Sequence, residues 1–228
     1  EYLKIWIDIL TPKQLLFSEP IIERLEEKHE ILCTSREYHE VSKLAKIRHF
    51  DLIFVGKHGG GDKKSKLKAS IERMGKLSKK IKRFEPDLVI SFGSPEAARI
   101  SFGLGIKHIM FCDSPHANAV MKLTLPLIQK LLIPYVIPKK EFSKYGIHEK
   151  NIVQYKAIDA AVTMKRKIRE DLNSPFKNNN KKNILIRVEE EEAAYTSKSS
   201  KIIPIIQKIT KDYKNENVVV LGRYTKQI

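Results

Sequence analysis

Three side chains that could move protons lie at or just beyond the ends of short apolar runs. Asp8 lies near the end of the run 3–10, and Asp113 and His116 follow the run 109–112. A carboxylate beside a histidine can act as a general base on a sugar hydroxyl. We predict Asp8, Asp113 and His116 as catalytic residues. The alternative is that Asp113 only caps a turn and that His116 is an exposed loop residue.

Other polar residues occupy similar positions and could bind an anionic substrate. Arg36, Arg187 and Arg223 each end or follow an apolar run, although ordinary surface arginines would show the same pattern. Glu96 and Arg99 share one helical face, where they could bind a substrate or pair with each other. Glycines 59–61 could hold phosphate through backbone N–H groups, but they lack both phosphate-loop spacings, so a flexible loop is the alternative.

The elements that position these residues alternate between strand and helix. Residues 87–92 predict a buried strand, Ser94 a cap for a helix starting near Pro95, and residues 109–112 the next strand. Strand–helix–strand units form right-handed parallel crossovers, and open parallel sheets bind ligands at the carboxyl ends of their strands. The first helix is expected at about 20–28, after a loop at 11–14, and another at 123–132. The pattern predicts a Rossmann-like, doubly wound α/β domain over residues 1–170.

A polar, low-complexity segment at 171–183 predicts a linker. After it, strand 184–188, helix 203–213 and strand 218–221 predict the start of a second Rossmann-like domain at 184–228. Such a short unit buries too little surface to be stable alone. We therefore expect the native protein to continue past Ile228.

Basic residues dominate the charge. The 43 Lys and Arg against 27 Asp and Glu give a net charge of +16, which favours anionic partners. Residues 57–83 contain eleven of the cations and two acids, with apolar residues at helical spacing. An amphipathic basic helix can bind an anionic membrane, or it can pack on the sheet and leave its lysines in water. No aromatic residues are interleaved with this run, which counts against nucleic acid as a partner.

The cysteines and one acidic run bear on the cellular compartment and on metal binding. Cys33 and Cys112 follow no metal or disulfide pattern and predict free thiols in a reducing, cytoplasmic compartment. Four acids at 189–192 could hold a divalent metal, but such runs are more often solvated loops. We expect no tightly bound cofactor and no metal site.

Several motifs together resemble one family, called domain of unknown function 354, over essentially the whole chain. The matching segments are residues 4–8, 51–59, 86–96, 102–105, 113–114, 123–126 and 155–159, with Arg187, Ala194, Tyr195 and Arg223. The family resembles the glycosyltransferase-B fold, which includes UDP-N-acetylglucosamine 2-epimerase and a lipid-acceptor N-acetylglucosaminyltransferase. That fold has two Rossmann-like domains with the substrate cleft between them.

The resemblance implies an enzyme acting on a nucleotide-diphosphate sugar. The implied binding residues on the acceptor side are Thr11, Lys13, Gln14, Ser94, Glu96 and Ser114, and the matching motifs add Lys57, His58, Gly59 and Tyr195. We expect transfer to an acceptor that is lipid-linked and reached by the basic helix at the inner membrane face. The alternatives are a UDP-sugar 2-epimerase, which needs no acceptor, and a non-enzymatic protein that binds polyanions or membranes.

Overall fold

The computed structural model of the protein describes residues 1–164, 174–176, 179–188 and 202–222. The chain divides into two compact units, residues 1–166 and residues 167–228. Among the described residues, no helix is both long enough and apolar enough to cross a membrane.

The first unit alternates strands with helices. Its strands are β1 (Lys4–Asp8), β2 (Glu30–Glu37), β3 (Ile53–Lys57), β4 (Leu88–Ser91), β5 (Lys107–Phe111), β6 (Lys130–Pro134) and β7 (Ile152–Tyr155). Its helices are α1 (Pro12–Glu26), α2 (His39–Arg48), α3 (Lys63–Phe84), α4 (Pro95–Gly103), α5 (Asn118–Thr124), α6 (Lys140–Ser143) and α7 (Ala160–Met164). Short 3₁₀ turns cover Leu125–Leu127 and Glu149–Asn151.

The seven strands form one sheet in the order β3-β2-β1-β4-β5-β6-β7, and every neighbouring pair is parallel. The strand order reverses between β1 and β4, which makes that junction the topological switch point where open α/β sheets bind ligands. The predicted α/β, Rossmann-like fold class is confirmed.

Buried apolar residues cover both faces of this sheet. One cluster packs Ile5, Ile7 and Ile22 with residues of α1 and α2. Another packs Trp6 and Val89 with Leu77 and other residues of α3 and α4. Burial on both faces explains why the central strands are short, nearly continuous apolar runs.

Two predicted helix boundaries were wrong. Helix α1 begins at Pro12, because the Thr11 side chain accepts the Gln14 N–H and caps the helix there; Pro20 lies inside α1. The predicted loop at 11–14 is therefore the cap and first turn of a helix. The predicted helix 123–132 was also wrong: α5 ends at Thr124, and Lys130 already begins β6. Leu-rich runs of this length suit a strand or a helix equally well.

The second unit contains β8 (Asn183–Arg187), α8 (Ile202–Asp212) and β9 (Asn217–Leu221). Strands β8 and β9 pair in parallel, with Ile184 opposite Val218. A parallel pair requires a crossover connection, and α8 lies between these strands in the chain.

Candidate functional site

Three charged side chains from separate strand ends meet at the carboxyl edge of the sheet. Lys13 lies in the first turn of α1, Asp113 follows β5, and Asp159 follows β7. Lys13 Nζ forms an ion pair with Asp113 and lies 3.1 Å from Asp159 Oδ2. The Ser114 hydroxyl donates to Asp113 Oδ1 at 2.8 Å, and the Tyr155 hydroxyl donates to Asp159 Oδ1. We call these five residues the Lys13 cluster.

The two carboxyl groups of this cluster differ in their tendency to hold a proton. Burial opposes ionisation of Asp113, but the Lys13 ammonium and the Ser114 hydroxyl outweigh it, so the pKa of Asp113 lies below its ordinary value. Asp159 is more deeply buried, with 5% of its side chain exposed against 26% for Asp113. Burial and the negative charge of Asp113 together raise the pKa of Asp159. Carboxyl groups whose pKa values are pushed apart suit acid and base roles.

The two carboxyl groups also differ in their hydrogen bonds. Asp159 Oδ2 is buried and has no hydrogen-bond partner of good geometry within the described part of the chain. The Lys13 ammonium, 3.1 Å from this oxygen, favours its ionised form, whereas burial and the charge of Asp113 oppose it. Lys13 contacts both acids. Burial alone would lower the pKa of Lys13, but the two carboxyl groups outweigh burial, so the pKa of Lys13 lies above its ordinary value. The ammonium also lies 4.7 Å from the centroid of the Phe92 ring.

A pocket of about 550 Å³ opens beside the cluster. Lys13, Asp113 and Asp159 supply its charged lining. The rest of its wall is apolar and comes from Phe17, Pro134, Val136, Ile137, Ile158, Ala160 and Met164. The pocket can therefore hold a molecule that places a hydroxyl group against the acids and an apolar part against the wall.

Asp8 lies in a second cluster, which is buried from solvent. Its carboxylate is fully buried and accepts from both terminal nitrogens of Arg73, at 3.1 and 2.6 Å. The hydroxyls of Thr34 and Ser94 each donate to it at 2.7 Å. Burial opposes ionisation, but these partners outweigh it and hold the pKa of Asp8 below its ordinary value. We call Asp8, Thr34, Arg73, Ser94 and Glu96 the Asp8 cluster.

The predicted catalytic role of Asp8 has little geometric support. Both carboxylate oxygens are occupied by donors, and 1% of the residue is exposed. Such a group can orient its neighbours, but it cannot touch a substrate without breaking its ion pair. Asp8 therefore remains a prediction, and the geometry favours a positioning role.

The side chains of the predicted binding residues Ser94, Glu96 and Gln14 also contact other groups of the protein. Besides its bond to Asp8, the Ser94 hydroxyl accepts the Ala97 N–H and caps α4. Glu96 is buried and lies 3.7 Å from Arg73, whereas Arg99 is exposed on α4. The Gln14 amide accepts from the Leu10 N–H at 2.6 Å and donates to the Phe92 carbonyl at 2.7 Å. The suggested pairing of Glu96 with Arg99 is replaced by the contact of Glu96 with Arg73.

The predicted residues Arg36, Lys57, His58 and Gly59 lie at the ends of β2 and β3. Arg36 is within β2, because this strand continues to Glu37. Lys57 is exposed and lies 4.0 Å from Glu37. The His58 ring stacks on Tyr38 with centroids 4.9 Å apart. Gly59 packs so tightly on α3 that a Cβ would lie 2.6 Å from the Lys66 Cα.

The remaining predicted residues are His116, Arg187, Tyr195 and Arg223. His116 is exposed in the loop after β5, and its carbonyl accepts the Asn118 N–H. Arg187 is exposed at the end of β8 in the second unit. Tyr195, Arg223 and the acidic run 189–192 lie outside the described residues. Within the described ranges, no group of three or more His, Cys, Asp or Glu side chains could hold a metal ion.

Asp159 and Tyr155 lie in the segment 155–159 that matches the family pattern, but the sequence analysis assigned them no role in the site. Asp159 follows β7 by four positions, and this is the same strand-end signal that identified Asp113. The signal was not sufficient, because β7 joins the sheet beyond β6 and only the strand order brings its end near Lys13.

Comparisons with known proteins agree with this fold. The family model described as "Protein of unknown function (DUF354)" matches residues 3–228. An uncharacterized protein of Methanocaldococcus jannaschii is 32% identical over 145 residues, which make up 63% of this chain and 42% of that protein. The chain thus spans less than half the length of this curated relative.

Two solved structures illustrate the similarity in fold. A UDP-GlcNAc 2-epimerase from Neisseria meningitidis bound to UDP-GlcNAc superposes with a TM-score of 0.74 at 16% identity, covering 97% of this chain and 66% of that one. The glycotransferase of kitacinnamycin superposes with a TM-score of 0.60 at 10% identity, covering 100% of this chain and 67% of that one. At these identities the similarity shows the fold alone.

Proposed function

The chain belongs to the DUF354 family, and from this premise we propose that it is part of an enzyme that acts on a nucleotide-diphosphate sugar. In this proposal the enzyme transfers the sugar to a hydroxyl group of an acceptor bound at the Lys13 cluster. Asp113 is the general base, Lys13 and Asp159 position it, and the second Rossmann-like domain binds the donor.

The observation that supports this proposal most directly is the pair of unequal carboxyl groups on one lysine. Asp113 is held ionised and is partly exposed to the pocket, so it can accept the proton of an incoming hydroxyl. Asp159 is buried, and its pKa lies above the ordinary value because of burial and the charge of Asp113. A carboxylate that is ionised at neutral pH and lines a pocket is placed to accept a proton from a bound hydroxyl group. His116 remains a predicted partner of Asp113 in this step.

The apolar wall of the pocket favours transfer over a reaction of the sugar alone. Phe17, Val136 and Ile137 offer carbon surface that the hydroxyl-rich sugar of the donor does not need. An acceptor with an apolar part would bury this surface at about 25 cal/mol per Å². This is the reason for preferring a transferase to an epimerase.

The outer face of α3 supports an acceptor held at a membrane. Two aliphatic side chains of α3 are exposed, Leu67 at 63% and Ile71 at 55% of their surface. The Lys and Arg residues of α3, apart from the buried Arg73, lie around them. A second cavity, of about 480 Å³, is lined by Lys76, Lys79, Lys80, Arg83, Leu32 and Phe84. Each cation near an anionic membrane surface contributes about 1 kcal/mol. We propose that this face binds the cytoplasmic membrane surface peripherally.

A sugar 2-epimerase is the second candidate. The fold shared with a UDP-GlcNAc 2-epimerase favours it, as do two carboxyl groups of unequal pKa, one able to take a proton and the other able to return one. Against it, both groups contact the same lysine, whereas inversion at a carbon needs proton exchange on opposite faces of the sugar.

The test is a product analysis with the full-length protein and a panel of UDP-, GDP- and CMP-sugars. Each donor is incubated alone, with total lipid extract, and with soluble sugars, and the released nucleotide and the sugar products are measured. Nucleotide release that requires lipid extract is expected. Glu23→Gln, an exposed acid on the same helix as Lys13, serves as the control for Asp113→Asn.

The outcomes separate the three hypotheses. An epimerised sugar formed without an acceptor would replace the transferase with the epimerase. No reaction with any donor, together with salt-sensitive binding to anionic vesicles or DNA, would replace both with a non-enzymatic binding protein, since such binding weakens steeply as salt rises.

A further inference from the structure

A half-buried guanidinium lies on the other side of the switch point from the Lys13 cluster. Arg36 has a buried Nε without a hydrogen-bond partner, and none of the described residues forms an ion pair with its side chain within 4.0 Å. The two acids on this side, Asp8 and Glu96, are already in contact with Arg73. A buried guanidinium N–H without a partner is costly, which favours an anion that would accept from it.

His58 and Lys66 lie beside this guanidinium. Burial, and then the positive charges of Arg36 and Lys66, lower the pKa of His58. The Gly60 N–H donates to His58 Nδ1 at 3.1 Å, so in the neutral ring the proton is on Nε2, which is a donor. Lys66 is partly buried because Gly59 packs directly against its backbone. The His58 N–H donates to the Glu37 carbonyl at 3.0 Å, next to Arg36, so three potential donors lie in one neighbourhood, where Asp8 and Glu96 are already paired with Arg73.

The loop is shaped to keep these groups together. Gly56 has φ +73° and Gly60 has φ +70°, which are left-handed conformations that side chains rarely adopt. A Cβ on Gly59 would lie within 2.9 Å of three backbone atoms of Ser65 and Lys66. The glycines therefore bring the end of β3 against the start of α3, and this contact places His58 and Lys66 on the same side as Arg36.

We propose that Arg36, His58 and Lys66 form a subsite that binds a phosphate or carboxylate group of the acceptor. The inference rests on the proposed function in one respect, because it assigns the bound anion to the acceptor substrate. It adds to that function the acidic character of the acceptor. Arg36 supplies bidentate hydrogen bonds, and Lys66 supplies a second positive charge. His58 supplies a donor that becomes charged when an anion binds.

The first experiment measures binding of inorganic phosphate and of glucose 6-phosphate to the full-length protein by calorimetry. Arg36→Gln is expected to weaken both at least tenfold. Arg24→Gln removes the same charge from the exposed surface of α1 and is expected to change neither. Glucose 6-phosphate binding more tightly than phosphate would identify a sugar-linked anion as the source, and equal affinity would identify free phosphate and remove the acceptor assignment.

A second measurement on the unmodified protein guards against a variant that fails to fold. The groups that face His58 are Arg36, Lys66, Glu40 and the Tyr38 ring. An anion at the subsite adds negative charge, so the pKa of His58, followed by NMR, is expected to rise when phosphate is added. An unchanged His58 titration, or equal weakening by Arg36→Gln and Arg24→Gln, would overturn the subsite.

Failure of the proposed function can be recognised separately. Nucleotide-sugar turnover is measured in the absence of phosphate. If no donor is turned over in any assay, the transferase is refuted. The anion site itself is judged only by the phosphate titrations, which need no turnover.

Discussion

The Asp8 and Lys13 clusters contain the same types of residue and differ in how completely their charges are neutralised. In the Asp8 cluster, one carboxylate has four donors from Arg73, Thr34 and Ser94 and no access to solvent. In the Lys13 cluster, two carboxyl groups share one lysine, one buried oxygen has no hydrogen bond, and a pocket opens beside them. The first arrangement stabilises the switch point; the second leaves charge available for chemistry.

The difference shows why strand-end position alone does not identify a catalytic acid. Asp8 and Asp113 both lie at the carboxyl ends of parallel strands. Arg73 reaches Asp8 from α3, and its third nitrogen donates to the Val55 carbonyl at 3.0 Å. The arginine thus joins β1, β3 and α3, whereas none of the arginines that the structure describes forms an ion pair with Asp113. The partner of an acid decides its role, and partners come from other elements.

The largest expected effect is on catalysis at Asp113. Asparagine keeps the shape of the side chain but cannot accept a proton, so Asp113→Asn should lower turnover by about 10²- to 10⁴-fold. Stability should change little, because Lys13 keeps Asp159 as a partner and one of two like charges is removed. Nucleotide release and urea unfolding measure the two quantities. A stable variant with normal turnover would remove Asp113 from the mechanism.

The largest expected effect on stability is at Asp8. Asp8→Asn removes the two-point counter-charge of the buried Arg73 guanidinium and leaves it Glu96, 3.7 Å away, which should lower the free energy of unfolding by about 3–5 kcal/mol. The matched control is Glu30→Gln in the Lys4–Glu30 pair, whose side chains are 41% and 45% exposed. That change should cost about 1 kcal/mol or less. Equal costs in urea unfolding would contradict the contrast between buried and open pairs.

The stability of the protein is expected to depend on pH through His108, a buried residue close to the Asp8 cluster. This ring is fully buried between the hydroxyls of Ser91 and Ser101, and burial lowers its pKa to about 4. The unfolded chain binds a proton near pH 6.5 and the folded chain does not, so stability is full above pH 6.5 and falls as the pH drops toward 4. The expected loss is about 3 kcal/mol.

Replacing the ring tests this assignment. His108→Gln should be less stable at pH 7 but should lose less stability between pH 6.5 and 4 than the unmodified protein does. Urea unfolding at several pH values measures both. Parallel curves for the two proteins would show that other groups cause the acid sensitivity.

Much of the first unit could be predicted because its signals are local. Short apolar runs, the Ser94 cap and the polar residue after each strand identified the order of elements and the edge that holds the site. Pro20 misplaced the start of α1, because a proline inside a helix resembles one that begins a helix. Arg36 was assigned to a strand end, although β2 continues through it.

The composition of each cluster could not be predicted, because it depends on contacts that are distant in the sequence. Arg73 is 65 residues from Asp8, and nothing in the lysine-rich helix distinguishes it from its neighbours except the depth of its position on the apolar stripe. Asp159 reaches Lys13 only because β5, β6 and β7 lie side by side. Strand order and helix rotation, which are global properties, decide which charges meet.

The smallest expected effect is at Ser114, and it would sharpen the distinction between the clusters. The Ser114 hydroxyl donates at 2.8 Å to Asp113 Oδ1 and favours the ionised form. Removing a hydrogen bond to a charged group disfavours the ionised form, so Ser114→Ala should raise the pKa of Asp113. The acid limb of the pH–rate profile should then move to higher pH, with turnover at pH 7 nearly unchanged. Ser143→Ala, whose hydroxyl bonds Glu149 far from the pocket, should leave the profile in place. If the acid limb does not move in Ser114→Ala, the group that titrates in the reaction is not Asp113, and the base must be sought at His116 or Asp159.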